Sequence, residues 1–378
     1  MRPAWVEVDL DALRANLQSI RQVVGLECEL MAVVKANAYG HGLVRVAQHF
    51  VACGADSLCV ALLEEALELR ESGVAAPILV MGAMVPDQAS DYVTHGITAS
   101  LCSEDGLKAL SSACEAQGKS AAVHLKVNTG MNRIGVSPSA VSALGQAVRD
   151  DSHLVLGAVW SHLATADESD DSFAREQHRR LMAAVRELRS VGVDVPMVHL
   201  AASAGIARFG EMHLGGVRPG LALYGMDPCP GHNVFGIHYR PALSVKARIV
   251  ALTDVDRGDG VSYGLTHEAA GPSRIATVPL GYADGYDRRF SNSGMVVVRR
   301  RVVPVVGRVC MDQFMVDVTG VPDVVIGDEV LVAGGPEPEM SVCALAKRLG
   351  TIPHEFVTGL SQRLPRVYRG ASLDGGSP

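Results

Sequence analysis

Apolar positions in this chain follow two different rhythms. Across residues 29–225, short apolar runs alternate with longer stretches in which Ala, Leu, Glu and Arg recur at helical spacing. The runs fall at 30–34, 57–62, 77–81, 97–101, 121–127, 154–160, 196–200 and 213–217. Helical patterns occupy 43–53, 64–72, 103–117, 137–149 and 172–191, and the segment after Leu200 has the weakest one. Eight such repeats predict an α/β fold, an eight-stranded (β/α)8 TIM-type barrel. An open doubly wound sheet is the alternative, but no G-x-G-x-x-G follows the first run.

From about Pro241 the runs become Val- and Ile-rich, at 244–252, 274–279, 295–306, 314–318 and 329–332. Turn signals separate them, among them Arg-Gly-Asp-Gly at 257–260 and Gly-Gly-Pro at 334–336, which predicts a mostly β C-terminal domain. Trp5–Leu10 alternates like a strand and precedes the first barrel run, so it is assigned to that domain. The expected division is a barrel over 11–238, a β-rich domain from 1–10 plus 239–370, and a disordered tail at 371–378.

Composition narrows the function classes. The 378 residues are 48% hydrophobic and 20% charged with net charge −7, and no long run of like charge suggests a nucleic-acid or anionic-membrane surface. No signal-peptide core opens the chain, and no apolar run reaches the roughly 18 residues needed to span a bilayer. Eight scattered cysteines without paired short spacing indicate reduced thiols and a cytoplasmic protein. The 13 histidines form no metal-binding cluster, so no metal is expected.

In a barrel of this kind the chemistry lies on the loops that follow the strands. Lys35, Asn37, Tyr39 and His41 follow the first run, and Lys126 and Asn128 end the fifth, ahead of Thr129-Gly-Met-Asn-Arg133. Ser161 and His162 follow the sixth, Ser203 the seventh, and Arg218-Pro-Gly220-Leu221 the eighth. A lysine at a strand end is usually a solvated surface residue. Each of the others also has an ordinary explanation: a satisfied histidine, a surface ion pair or a turn glycine. Their convergence on one end of the barrel favours a site. Lys35 there suits Schiff-base chemistry, and Ser203, Gly220 and Leu221 lie where barrels often hold a phosphate.

Several segments closely resemble the alanine racemases, a family of fold-type III pyridoxal-phosphate enzymes. They are Val-Val-Lys-Ala-Asn-Ala-Tyr-Gly-His-Gly (33–42), Leu-Lys-Val-Asn-Thr-Gly-Met-Asn-Arg-Ile-Gly (125–135), Ser-His-Leu-Ala (161–164) and Val-Arg-Pro-Gly-Leu-Ala-Leu-Tyr-Gly (217–225). Val-Ser-Tyr-Gly (261–264), Gly-Tyr-Ala-Asp-Gly-Tyr (281–286) and Gly-Arg-Val-Cys-Met-Asp-Gln (307–313) continue the match in order.

The resemblance implies pyridoxal 5'-phosphate as cofactor, held by Lys35 as an internal aldimine, and a two-base interconversion of L- and D-alanine by Lys35 and Tyr263, supplying D-alanine for peptidoglycan. It further implies that Tyr39, Ser203, Gly220, Leu221 and the position of His354 bind the phosphate. Arg218 would face the pyridine nitrogen, with His162 behind it, and Arg133 would reach the cofactor and the substrate carboxylate. Met311 would touch substrate, and Tyr282, Cys310 and Asp312 would line the approach. Lys126 matches a lysine that is often carbamylated in the family. The resemblance also implies a homodimer whose sites are shared across the interface through Tyr263.

Three residues depart from the family pattern. Asn128 stands where aspartate is usual, Ala202 where asparagine is common, and His354 where tyrosine is usual. They bear on substrate breadth more than on reaction type, and a serine or broad-specificity racemase is the alternative. A fold-type III decarboxylase typically pairs the pyridine nitrogen with a carboxylate, and Arg218 occupies that slot here. A non-enzymatic pyridoxal-phosphate carrier would leave residues 241–370 without a purpose.

Overall fold

The computed structural model describes residues 2–370, so the tail expected to be disordered at 371–378 lies outside the described residues. The chain divides into two compact units: Leu13–Ala38 with Leu43–Arg240, and the N-terminal residues to Ala12 with Tyr39–Gly42 and the chain from Pro241.

Strand β1 (Ala4–Asp9) comes first in the chain and belongs to the second unit. The first unit is a closed parallel barrel of β2 (Glu29–Val33), β3 (Ser57–Val60), β4 (Ile78–Ala83), β5 (Thr98–Leu101), β6 (Ala121–Lys126), β7 (Leu154–Trp160), β8 (Val198–Ala202) and β9 (Gly216–Arg218). Closure comes from β9 pairing back onto β2, with Glu29 opposite Gly216 and Leu30 opposite Val217. All eight predicted barrel strands are present. Their near-continuous apolar character follows from burial on both faces, as β3 shows with all four residues buried.

The helices between the strands start and stop for local reasons. Ser103 caps the helix Glu104–Gln117 by accepting from the Gly106 N–H, and Gly118 ends it in the left-handed conformation. In the helix Ser172–Ser190, Leu181, Val185 and Leu188 recur at helical spacing and are buried. The weakly patterned segment after Leu200 forms the short helix Ser203–Arg208.

The second unit is built on a nine-stranded sheet. Its members after β1 are β10 (Leu243–Arg248), β11 (Ala251–Val255), β14 (Ser273–Val278), β15 (Met295–Val298), β16 (Arg301–Val306), β17 (Phe314–Asp317), β18 (Glu329–Ala333) and β19 (Arg366–Arg369), while β12 (Gly260–Val261) and β13 (His267–Glu268) pair separately. The N-terminal strand lies inside the nine-stranded sheet, antiparallel to β10 and parallel to β19. Two predicted runs are each divided. Residues 244–252 split into β10 and β11. Residues 295–306 form a hairpin that turns at Arg299 and Arg300, with φ of 48° and 63°. Arginine is not a usual turn residue, so no signal marks that turn. The helices Val342–Leu349 and Pro353–Thr358 also lie in this mostly β unit.

Candidate active site

Lys35 follows β2 after the single residue Val34, at the barrel end predicted to carry the chemistry. Neighbouring strands fix the backbone before it: the Val33 N–H donates to the Pro219 carbonyl (3.0 Å) and the Val34 N–H to the Cys59 carbonyl (2.9 Å). The chain then turns left-handed through four consecutive non-glycine residues, Ala36, Asn37, Ala38 and Tyr39, with φ between 51° and 55°. Each costs about 1–2 kcal/mol, so the turn persists only because its surroundings hold it. The Asn37 side chain is one such tie, accepting from the Leu43 N–H at 2.8 Å. Burial lowers the Lys35 pKa first, and the Arg133 guanidinium lowers it further. Burial pushes the Cys59 thiol up to about 12, so it remains a thiol beside that amine.

Arg218 ends β9 and is 1% exposed, without a carboxylate partner among the described residues. Its Nη2 donates to the carbonyls of Ser161 (2.8 Å) and Leu200 (2.9 Å) and lies 3.3 Å from His162 Nδ1, while Nη1 donates to His199 Nδ1. His199 Nε2 in turn is 3.1 Å from His124 Nδ1. Burial, then Arg218, holds His199 and His162 well below the usual imidazole value and takes His124 down to about 4. Neutral rings give a consistent direction: Arg218 donates to His199, and the Nε2–H of His199 donates to His124. Gly157 on β7 leaves room for this, since a Cβ there would stand 3.0 Å from His124 Nε2. Burial lowers the Arg218 pKa to about 10, so it stays charged at neutral pH. Its Nε is buried and has no hydrogen-bond partner.

Lys126, the last residue of β6, is buried with its Nζ 3.7 Å from the centroid of the Trp160 ring. The Arg218 guanidinium carbon lies 4.7 Å from the same centroid. One indole thus offers a π surface to two cations in a dry environment. Burial, followed by Arg218, lowers the Lys126 pKa to about 7. Asn128 turns into its own loop: Oδ1 accepts from the N–H groups of Gly130 and Asn132 (both 3.1 Å), and Nδ2 donates to Asn132 Oδ1 (3.0 Å). Its departure from aspartate is therefore absorbed by loop geometry. That loop carries Arg133, which is exposed and has no hydrogen-bond partner for its guanidinium among the described residues. Ser203 Oγ accepts from the N–H groups of Gly220 (2.9 Å) and Ala222 (3.2 Å), joining the two loops expected to bind phosphate.

The remaining predicted residues lie in the C-terminal unit. Tyr39 packs against His354 with ring centroids 5.8 Å apart, and the tight backbone beside it explains the glycines of this motif. A Cβ on Gly40 would stand 2.1 Å from the Val357 carbonyl oxygen, and one on Gly42 would stand 2.0 Å from the Tyr368 hydroxyl. Tyr263, Tyr282, Cys310, Met311 and Asp312 line one recess of about 830 Å³. Tyr263 is 73% exposed and follows Ser262, whose φ of 67° is stabilised by a hydrogen bond from its hydroxyl to the Arg308 carbonyl (2.7 Å). The Tyr282 and Ala283 N–H groups donate to the carbonyls of Cys310 and Met311 (3.1 and 3.0 Å). Asp312 pairs with Arg363 at 2.6 Å.

Sequence reasoning missed His124, Trp160 and His199 in this network. One signal was available for the first: His124 and Lys126 sit two apart on β6 and therefore share a face. Among the described residues, no group of three or more His, Cys, Asp or Glu could hold a metal ion, and no helix is long and apolar enough to cross a membrane.

Comparison with known proteins agrees over both units. The profile of the alanine racemase N-terminal domain matches residues 8–228, and that of the alanine racemase C-terminal domain matches 242–368. An alanine racemase of Desulforamulus reducens is 43% identical over 369 residues, covering 97% of this chain and 99% of its own. The solved alanine racemase of Clostridium difficile 630 superposes with a TM-score of 0.93 at 34% identity, covering 98% of this chain and 96% of its own. That of Bacillus anthracis, with L-Ala-P bound, superposes with a TM-score of 0.91 at 35% identity, covering 98% and 96%.

Proposed function

This chain belongs to the alanine racemase family, a family of amino-acid isomerases, and we propose that it interconverts L- and D-alanine by a two-base mechanism, supplying D-alanine for peptidoglycan in the cytoplasm. The observation that carries this reading is Arg218: a buried, charged guanidinium surrounded by neutral acceptors, with its Nε–H left open. An open donor on a permanent cation fits a pyridine nitrogen that is kept unprotonated, as a racemase needs. It does not fit the carboxylate partner of a fold-type III decarboxylase.

The residues present fit pyridoxal phosphate. Lys35 has the lowered pKa a carbonyl-reactive amine needs, and the loops joined by Ser203 would offer a phosphate its hydroxyl proton and the Leu221 N–H, with the Gly220 N–H turning to the phosphate from the Ser203 Oγ it meets here. Tyr39 and His354 complete the phosphate contacts. Bound there, the cofactor acts as an electron sink that acidifies the Cα–H of an amino acid.

The chain supplies binding and proton transfer. Arg133, whose guanidinium has no hydrogen-bond partner among the described residues, binds the substrate carboxylate. The Lys35 amine takes or returns the Cα proton on one face, and the Tyr263 hydroxyl does so on the other. Arg218, charged at neutral pH, would face the ring nitrogen of the cofactor and, keeping its own proton, leave that nitrogen unprotonated. Lys126, its pKa lowered to about 7 by burial and Arg218, would be nucleophilic enough in its neutral form to take up carbon dioxide with loss of a proton to solvent, and the resulting carbamate would balance Arg133. Met311 contacts the substrate through its backbone, and Tyr282, Cys310 and Asp312 shape the approach. The protein works as a homodimer, with Tyr263 of one copy completing the site of the other.

Purified variants test the two-base assignment. Lys35→Ala abolishes racemisation. Tyr263→Phe slows proton abstraction from one enantiomer by about 10²–10⁴-fold and affects the other less. Residual racemisation by Lys35→Ala at the wild-type rate would refute the assignment, and equal slowing of both directions by Tyr263→Phe would remove Tyr263 from it. Turnover of alanine within a few-fold of serine would instead mark a broad-specificity racemase.

A further inference from the structure

Glu65 joins the end of β3 to the turn that carries Lys35. One carboxylate oxygen, Oε1, accepts from the Ala36 N–H at 2.5 Å, one residue past the lysine. The other, Oε2, accepts from the N–H groups of Ala61 (2.9 Å) and Leu62 (3.2 Å), where the chain leaves β3 and enters the helix Leu63–Glu71. A single half-buried side chain therefore satisfies three backbone donors from the C-terminal ends of two adjacent barrel strands. Ala36 is also the first of the four left-handed residues, where the backbone most needs an external tie.

We infer that Glu65 is a positioning residue: it pins the left-handed turn after β2 and so fixes where the Lys35 amine points. The inference rests on the reading of Lys35 as the cofactor-binding amine. Its charge acts in addition to its geometry. Glu65 opposes the lowering of the Lys35 pKa by burial, Arg133 and Arg218; the buried Cys59 beside the amine stays a neutral thiol and adds no charge, and Lys126 and His162 also face the site.

The test uses the full-length protein freed of cofactor, with Glu65→Gln, Glu65→Asp and the neighbouring Glu64→Gln as control. Amide hydrogen exchange is followed by mass spectrometry on the peptide covering residues 33–42. The pH dependence of Lys35 trapping by pyridine-4-carboxaldehyde and borohydride is measured in parallel. Glu65→Gln speeds exchange in that peptide by at least about tenfold and moves the trapping midpoint to lower pH, because it removes both an acceptor and the nearby negative charge. Glu65→Asp keeps the charge but withdraws it by one methylene, so it also speeds exchange while leaving the midpoint nearer wild type. Glu64→Gln changes neither.

Exchange at the wild-type rate in Glu65→Gln and Glu65→Asp overturns the inference, as does an unshifted midpoint in Glu65→Gln. Wild-type protein that develops no bound-cofactor absorbance when supplied with pyridoxal phosphate overturns the functional reading instead. The cofactor-free exchange measurement still decides the role of Glu65.

Discussion

A buried guanidinium without a carboxylate is expensive unless every donor is met or put to use. Around Arg218, two carbonyls and two imidazoles meet the Nη donors, and the unpartnered Nε–H is the one expected to face the cofactor. The arrangement works only while the imidazoles stay neutral, which gives stability a defined pH dependence. His124 titrates near its ordinary value of about 6.5 when unfolded and at about 4 when folded. Between those values the unfolded chain binds the extra proton, so the stabilising contribution is complete above pH 6.5 and is lost as pH falls towards 4. Denaturant midpoints of the cofactor-free protein should therefore fall from pH 7 to pH 5. His124→Asn should flatten that fall, and identical slopes in variant and wild type would contradict the arrangement.

At the scale of elements, the left-handed turn and the glycines after it hold the motif together. A methyl group on Gly40 meets the Val357 carbonyl and also demands a φ of 78° from an L-residue. Gly40→Ala should destabilise by about 2–4 kcal/mol, which for a chain of this size lowers the melting temperature by several degrees. An unchanged melting temperature would mean that the helix Pro353–Thr358 yields freely. The barrel strands were legible because strands buried on both faces appear as plain apolar runs. The turn at Arg299 and Arg300 was not, because ion pairing and a carbonyl contact hold it in place of turn chemistry: Arg299 pairs with Asp328 (2.7 Å), and Arg301 donates to the Gly320 carbonyl (2.6 Å). The residues expected at the strand ends were visible through their polarity next to apolar runs. His199, Trp160 and Glu65 were hidden because their partners come from strands distant in sequence or from backbone groups that no pattern marks.

For the whole molecule, the shared-site proposal makes a prediction that no single variant can. Homodimers of Lys35→Ala and homodimers of Tyr263→Phe are each defective. Subunit exchange between equal amounts gives mixed dimers in which one site has both an intact Lys35 and an intact Tyr263. With random exchange and a completely inactive parent pair, about a quarter of wild-type activity should return. No recovery after demonstrated exchange would place both residues of a site on one chain.

Incubation of cofactor-loaded protein with L-alanine in deuterated water, following D-alanine and Cα deuterium together, tests racemisation through proton exchange at Cα. D-alanine carrying deuterium at Cα is the expected product. Deuterium exchange without inversion would leave Lys35 working and Tyr263 without a role. Neither exchange nor D-alanine from protein that holds its cofactor would contradict racemisation of alanine by this chain.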